Sequence, residues 1–209
     1  MPEYSDIFFG ASLNDVDPTV AELIALEGER QARRIILIPS ESIAPAPVLA
    51  ALGSVFNNVY AEGYPPLRMT RDEDALLTDL CHHLSHYRRY SDRRYYKGAD
   101  YVNFVEALAQ RRCAACLANE HVSAEDIYVN VQPLSGAVAN LSAYDALMTP
   151  GDTLMGMDLY QGGHLTHGSE FNVSGRRYRV VSYGVDRRSE RLDYDRIMEQ
   201  AVAERPKVI

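Results

Sequence analysis

Near Ile127 the hydrophobic pattern of this chain changes from helical spacing alone to an alternation of strands and helices. Short apolar or β-branched runs predict strands at 127–131, 153–157, 179–183 and 207–209. Apolar residues three and four positions apart predict the intervening helices at 136–148 and 194–204. Strands and helices that alternate at these lengths favour an α/β layer with a mainly parallel sheet.

The residues before Ile127 carry helix signals, apart from a short β-branched run at 35–38 that Pro39 ends. Asp17 and Pro18 offer a cap and a first-turn proline for a helix that extends toward Arg33. Thr70 and Glu73 have the spacing of a capping box. Apolar stripes at helical spacing predict further helices at 45–58, 70–90 and 101–119.

Charge and cysteine content exclude several classes of protein. Asp and Glu outnumber Lys and Arg by 29 to 21, and the net charge of −8 argues against a nucleic-acid binder. The three cysteines, Cys81, Cys113 and Cys116, are an odd number in a chain long enough to build a core. They indicate a reducing compartment rather than a disulfide framework.

The chain also lacks the usual signals for export or membrane insertion. No run of about 18 apolar residues could span a bilayer, and the first residues have neither a basic start nor an apolar stretch. We therefore predict a cytoplasmic protein. The sequence stops inside its last predicted strand, which needs neighbours and helical cover, so we expect it to be the front portion of a larger domain.

Three polar clusters fall where turns are predicted. Ser135 and Gly136 lie between a strand and a helix, where free backbone N–H groups suit a phosphate, although such a pair often serves only as a cap. His164 and His167 lie among glycines. They are ordinary surface histidines, zinc ligands for which no third ligand is evident, or a site at which an imidazole is placed on a flat ligand. Glu62 is either an exposed turn residue or a carboxylate that transfers protons.

Taken together, these clusters and their surroundings resemble one family, serine hydroxymethyltransferase. It is a fold-type I enzyme that uses pyridoxal phosphate and tetrahydrofolate. The resemblance runs from about Asp17 to the end of the chain and is to the N-terminal half of the family. The segments that carry it, in order, are Leu37-Ile-Pro-Ser-Glu41, Ala51-Leu-Gly-Ser54, Tyr60-Ala-Glu-Gly-Tyr-Pro65, Arg94-Tyr-Tyr96, Asn130-Val-Gln-Pro133, Pro150-Gly-Asp152 and Gly162-Gly-His-Leu-Thr-His-Gly168.

The resemblance implies a binding site for pyridoxal phosphate. The residues that would hold the phosphate are Ser135, Gly136 and Ala137, and His164 would stack on the pyridine ring. The cofactor supplies an electron sink, and the protein supplies orientation, proton transfer and phosphate anchoring.

The resemblance also implies the catalytic and substrate-binding residues. Glu62 would exchange protons with substrate and folate, and Tyr60 and Glu62 would reach the neighbouring subunit's site, which implies a homodimer with shared active sites. Ser40 would contact the amino-acid substrate, with Tyr96 beside it. The expected catalytic residues are thus Glu62, Tyr60, Tyr96 and His164, and the folate pocket would be lined by Leu159, Gly163, His164 and Leu165.

The implied architecture is the pyridoxal-phosphate-dependent transferase fold type I, present in part. Residues 1–122 would form an N-terminal helical arm with the dimer contacts, and 123–209 the first part of the large α/β domain. The complete protein would interconvert serine and tetrahydrofolate with glycine and 5,10-methylenetetrahydrofolate. The alternatives are a folate-independent aldolase on β-hydroxy amino acids, or a catalytically incomplete or degenerate relative that acts only as an assembly partner.

Three departures from the family pattern are visible. The lysines of the sequence, Lys97 and Lys207, both lack the context of the Schiff-base lysine, so we expect that residue beyond Ile209 and this chain alone to be inactive. Leu134 and Ala137 stand where the family usually has histidine and a small polar residue. The family has glycine where Lys97 stands, and a very short loop in place of 66–92.

The inserted segment 66–92 allows further interpretations. Its histidines include an i, i+4 pair that could bind a metal, but a solvated polar face is the simpler interpretation and no metal is predicted; they are His82, His83 and His86. The arginines at the end of the insertion and just after it could steer an anionic folate, although compensation of a helix C-terminus is preferred; they are Arg88, Arg89, Arg93 and Arg94. The apolar face of the insertion must pack on this subunit or its partner.

Overall fold

A computed structural model describes residues 10–90 and 93–209 in two compact units, the first ending at Tyr60 and the second running from Ala61 to Ile209. The first unit is helical, with α1 (Leu13–Val16), α2 (Pro18–Arg33), α3 (Ala46–Leu52) and a 3₁₀ turn at Val55–Asn58. Helix α2 begins as predicted, because the Asp17 carboxylate accepts a hydrogen bond from the Val20 amide at 3.1 Å and Pro18 occupies the first turn.

The first unit departs from prediction in two respects. The helix predicted at 45–58 ends at Leu52, and Ser54 then caps the separate 3₁₀ turn. The apolar stripes of α2 and α3 are exposed rather than buried, since Leu23, Ile24 and Leu52 are 59%, 60% and 64% exposed.

In its described residues, the second unit contains two small sheets and several helices. Its strands are β1 (Gly63–Tyr64), β2 (Arg93–Arg94), β3 (Thr153–Met157) and β4 (Arg179–Tyr183). Its helices are α4 (Asp74–Leu77), α5 (Leu80–Tyr90), α6 (Asp100–Leu117), α7 (Gly136–Leu147), α8 (Val173–Arg177) and α9 (Tyr194–Glu204). The helices predicted at 101–119, 136–148 and 194–204 are thereby confirmed to within two residues.

The sheets pair in opposite senses. Strands β3 and β4 are parallel, with Thr153 opposite Arg179, which confirms two of the predicted strands and their direction. Strands β1 and β2 are antiparallel, with Gly63 opposite Arg94. The structure is therefore mixed α/β, with helices and small sheets in the described residues.

Two predicted strands are not formed as expected. Residues 127–131 belong to no strand in the described structure, because an extended segment becomes a strand only when a neighbour pairs with it, and β3 is occupied by β4 and by Val208. The strand predicted at 207–209 is reduced to one parallel bridge between Leu154 and Val208.

The single helix predicted at 70–90 is wrong. The segment forms a 3₁₀ turn at Met69–Arg71, then α4 and then α5. Helix α5 starts separately because the Asp79 carboxylate accepts a hydrogen bond from the His82 amide at 3.0 Å, as an N-cap does. The predicted capping box rests on the side chain of Thr70, which lies outside the described part of the structure.

Among the described side chains, two apolar clusters form the core of the second unit. One joins Met69 to Ala107 on α6, so the inserted segment packs on its own subunit. His83 extends this contact, with its ring centroid 4.3 Å from that of Phe104. The other cluster packs α7 against the parallel sheet and consists of Tyr144, Met148, Leu154 and Tyr178, flanked by Leu141 and Val208. Within the described ranges, no helix is long and apolar enough to cross a bilayer.

Candidate functional site

The pairing of β1 with β2 fixes the turn that carries Glu62. Gly63 has a φ of 102°, and a Cβ there would lie 2.4 Å from the carbonyl oxygen of Arg93, so only glycine fits. The Tyr95 amide donates to the Glu62 carbonyl at 3.1 Å. The inserted segment thus begins after β1 and ends before β2. Because these strands pair, Glu62 and the residues that follow β2 stay close together.

This pairing brings two predicted catalytic residues together. The hydroxyl of Tyr96 donates to Oε2 of Glu62 at 3.4 Å, although the residues are 34 positions apart in the sequence. Both side chains are exposed. The carboxylate is therefore accessible to a substrate and is oriented by a phenol that can itself donate or accept a hydrogen bond.

The amino end of α7 forms the second part of the site. Ser135 is the N-cap, and its hydroxyl accepts a hydrogen bond from the Val138 amide at 3.4 Å. The first turn of this 12-residue helix presents the amides of Gly136 and Ala137, and a Cβ at Gly136 would meet nothing within 4 Å. The open surface and the positive end of the helix dipole suit an anionic group.

The loop after β3 forms the third part of the site. Gly163 donates its amide to the Asp158 carbonyl at 2.9 Å, and a Cβ on it would lie 1.9 Å from the Met157 carbonyl oxygen. Only glycine therefore allows the chain to fold back on the end of β3. Leu159 precedes this turn half-buried, and Leu165 follows it 45% exposed.

His164 is held in this loop by one of its ring nitrogens. The Thr166 amide donates to Nδ1 at 3.2 Å, so Nδ1 carries a lone pair, and the Thr166 hydroxyl lies 2.8 Å from the same atom. In the neutral ring the proton is then on Nε2. His164 is exposed, so its ring is accessible to a ligand.

A hydrogen bond connects the His164 loop to α7. Asn140 Nδ2 donates to the Thr166 hydroxyl at 2.8 Å, and Thr166 is buried. Asn140 lies little more than one helical turn after Ser135, so the cap of α7 and the imidazole are connected through two side chains. The sequence contains a signal for this connection, a threonine between two histidines, but its partner 26 residues away could not be predicted.

His167 is half-buried beside His164. Its ring centroid lies 5.8 Å from that of His164, and burial, reinforced by His164, lowers the pKa of His167. The ring is therefore neutral at pH 7. Across 10–90 and 93–209, no group of three or more His, Cys, Asp or Glu side chains is placed to hold a metal. His82 and His86 instead stack on each other, with ring centroids 5.3 Å apart.

The remaining predicted residues belong to the first compact unit. Ser40 lies in an exposed turn, and Tyr60 is 72% exposed at the end of that unit. The structure thus brings Glu62 together with Tyr96, and it links His164 through Thr166 to Asn140 on α7, the helix that Ser135 caps. Sequence reasoning assigned no role to Arg94 beyond charge, nor to Gln132, Asn140 or Thr166, which hold these groups in place.

The chain is similar to known proteins of one family. The family model for serine hydroxymethyltransferase matches residues 13–84 and 74–209, and the two matches overlap within the inserted segment. The chain is 42% identical over 198 residues to the serine hydroxymethyltransferase of Koribacter versatilis, which covers 95% of this chain and 39% of that protein. It is 44% identical over 197 residues to that of Kocuria rhizophila, which covers 94% of this chain and 39% of the relative.

A third curated relative gives the same result. The serine hydroxymethyltransferase of Nostoc punctiforme is 43% identical over 197 residues, which cover 94% of this chain and 38% of that protein. The chain thus spans about two fifths of the length of the curated relatives that it matches.

Proposed function

The chain belongs to the serine hydroxymethyltransferase family, and we propose that the protein containing it interconverts serine plus tetrahydrofolate with glycine plus 5,10-methylenetetrahydrofolate. The observation that carries the proposal is the Glu62 carboxylate, presented beside Tyr96 on a turn that only glycine permits. The family match over most of the chain supports it. Its fold would be type I of the pyridoxal-phosphate-dependent enzymes, with the arm at 1–122 and the large domain beginning at 123.

The residues present fit pyridoxal phosphate. The phosphate would be held by the cap and first amides of α7, Ser135, Gly136 and Ala137, where the space beside Gly136 is open. His164 would lie against the ring, because Thr166 fixes its Nδ1 and leaves its face exposed. When bound, the cofactor supplies an electron sink for the bond that breaks at the substrate's α-carbon.

Glu62 would move the proton. Cleavage of serine requires removal of the proton from its hydroxyl group, and a carboxylate can take up a proton and return it. Tyr96 orients Oε2 for that exchange by donating to it. Such a bond is often long without substrate and shortens when the substrate binds.

The further assignments of the resemblance are part of the proposal. Ser40 and Tyr60 would contact the amino-acid substrate, and Leu159, Gly163 and Leu165 would line the folate pocket. Tyr60 and Glu62 would serve the site of a second subunit in a cytoplasmic homodimer. The exposed positions of Ser40, Tyr60 and Glu62 are compatible with such sharing.

The test is Glu62→Gln in the complete protein. The carboxamide keeps the size of the side chain but cannot take up a proton at neutral pH, so kcat for folate-dependent serine cleavage should fall by about 10²–10⁴. Binding of pyridoxal phosphate, followed by absorbance, should be unchanged. Glu199→Gln on the exposed side of α9 is the matched control. Unchanged turnover in Glu62→Gln would remove Glu62 from the mechanism.

A further inference from the structure

We propose that Arg94, Glu106 and Gln132 are positioning residues that hold the Glu62 turn rigid for proton transfer. The inference rests on the proposed function. These side chains form one polar network beneath the turn, and the network contacts the backbone on both sides of Glu62.

Arg94 bonds to the main chain of the turn on both sides of Glu62. Its Nη1 donates to the carbonyl of Ala61 at 2.7 Å and to that of Gly63 at 2.9 Å, the two residues that flank Glu62. The side chain is 1% exposed, so these bonds are shielded from water. Together with the Tyr95 amide on the Glu62 carbonyl, they fix three successive carbonyl groups.

Helix α6 anchors the guanidinium. Arg94 Nη2 donates to Glu106 Oε2 at 2.5 Å, and Nε donates to Asn103 Oδ1 at 2.8 Å. The Glu106 side chain is 9% exposed. Arginine meets four acceptors here through a planar fork, which the single ammonium of lysine could not match.

Gln132 closes the network. Its Nε2 donates to the Gly63 carbonyl and to Glu106 Oε1, both at 2.7 Å. The carbonyl of Gly63 therefore accepts from two side chains, and both oxygens of Glu106 are bonded. Gln132 lies three residues before Ser135, so it joins the Glu62 turn to the segment that leads into the proposed phosphate site.

This arrangement fixes the backbone and leaves the carboxylate free. The network contacts main-chain carbonyls of the turn, whereas the side chain of Glu62 is exposed and bonds to Tyr96. A shift of about 1 Å in a catalytic group can cost about 100-fold in rate. Loosening the network should thus lower the rate of chemistry with little effect on serine binding.

The main test is Gln132→Met in the complete protein, because it removes both bonds while Arg94 still neutralises Glu106. We expect kcat for serine cleavage to fall about tenfold, with the KM for serine within about twofold and pyridoxal phosphate content unchanged. Gln200→Met is the matched control, because Gln200 also donates to a main-chain carbonyl, that of Ser182, at 3.2 Å. Its kcat should stay within about twofold of the wild-type value.

A double-mutant cycle separates positioning from general damage. If Gln132 acts through Glu62, Gln132→Met should lower kcat less than about twofold when Glu62→Gln is already present. Equal losses in both backgrounds would overturn the inference, as would an unchanged kcat in the single variant or a loss confined to KM.

Amide exchange provides a measurement that does not depend on activity. The Tyr95 amide, bonded to the Glu62 carbonyl, should exchange with deuterium faster in Gln132→Met and faster still in Arg94→Lys than in the wild type. Unchanged exchange would overturn the inference. A wild-type protein that binds the cofactor but cleaves no serine would instead overturn the proposed function, and the exchange rates would still decide whether the network holds the turn.

Discussion

His83 shows how packing controls the charge of a single residue in the inserted segment. Its side chain is 1% exposed and lies against Phe104. Burial lowers the pKa of His83 and the nearby His82 lowers it further, while Asp72 and Asp79 act in the opposite direction. The folded protein therefore holds fewer protons at this site than the unfolded chain between the two pKa values.

This lowered pKa predicts a loss of stability in acid. The contribution of neutral His83 is complete above the ordinary histidine pKa of about 6.5 and is lost as the pH falls through and below that value. We expect the free energy of unfolding of the wild type, measured in urea, to be lower at pH 5.5 than at pH 7.5. The difference between the two pH values should be smaller in His83→Gln. Part of this dependence of stability on pH should persist in His83→Gln, because burial lowers the pKa of His167 as well.

His121→Gln is the control for that experiment. The His121 side chain is 82% exposed, so its replacement should leave the pH dependence of unfolding as it is in the wild type. An identical slope in His83→Gln and the wild type would show that the inserted segment does not bury a neutral imidazole.

Some residues of the candidate site stand out in the sequence, and others are visible only in the structure. Glu62 and His164 lie in short sequence motifs specific to one family, so the sequence alone singles them out as candidate site residues. The groups that hold them did not, because the bonds of Gln132 to Gly63 and of Asn140 to Thr166 join residues 69 and 26 positions apart. Such partners depend on tertiary packing, which local pattern does not specify.

At the level of elements, prediction succeeded where the local hydrophobic pattern was enough to define the helix or strand. The strands β3 and β4 pair with each other, and α9 has the predicted bounds. The prediction at 127–131 failed because a strand needs a neighbour, which hydrophobicity alone does not supply. The prediction at 70–90 failed because Asp79 caps a new helix within an otherwise continuous apolar stripe.

The short β1–β2 pair predicts the effect of one added methyl group. In Gly63→Ala, the new Cβ would meet main-chain atoms of Arg93 and Arg94, at 2.4 Å and 2.8 Å, in a backbone conformation that disfavours side chains. We expect a destabilisation of about 1–3 kcal/mol and a large loss of serine cleavage as the Glu62 turn moves. Thermal unfolding and kcat are the measurements.

Gly28→Ala is the matched control for this substitution. Gly28 lies within α2, and a Cβ there would meet nothing within 4 Å. Alanine should therefore stabilise the helix by up to about 1 kcal/mol and leave kcat unchanged. If Gly63→Ala were as stable and as active as Gly28→Ala, β1 and β2 would not constrain the turn.

At the scale of the whole molecule, the positions of the two lysines decide how the 209 residues can hold the cofactor. Lys207 donates its amide to the Thr153 carbonyl, and its Nζ lies 3.7 Å from Asp152, so it sits at the amino end of β3. His164 follows the carboxyl end of the same strand, and five strand residues span about 16 Å. Lys97 follows Tyr96 and is exposed.

Neither lysine should therefore bond covalently to pyridoxal phosphate held at α7. A lysine that attacks the cofactor needs desolvation or a cationic neighbour to become nucleophilic at neutral pH; Lys97 is exposed and Lys207 faces a carboxylate. The 209-residue chain, incubated with one equivalent of pyridoxal phosphate and reduced with borohydride, should show no more label at either lysine than the urea-denatured chain, as read by peptide mass spectrometry. Stoichiometric label at Lys97 that is lost in Lys97→Gln, together with serine-dependent formation of glycine, would contradict this prediction and would place the reactive amine beside Tyr96, at the edge of the inserted segment.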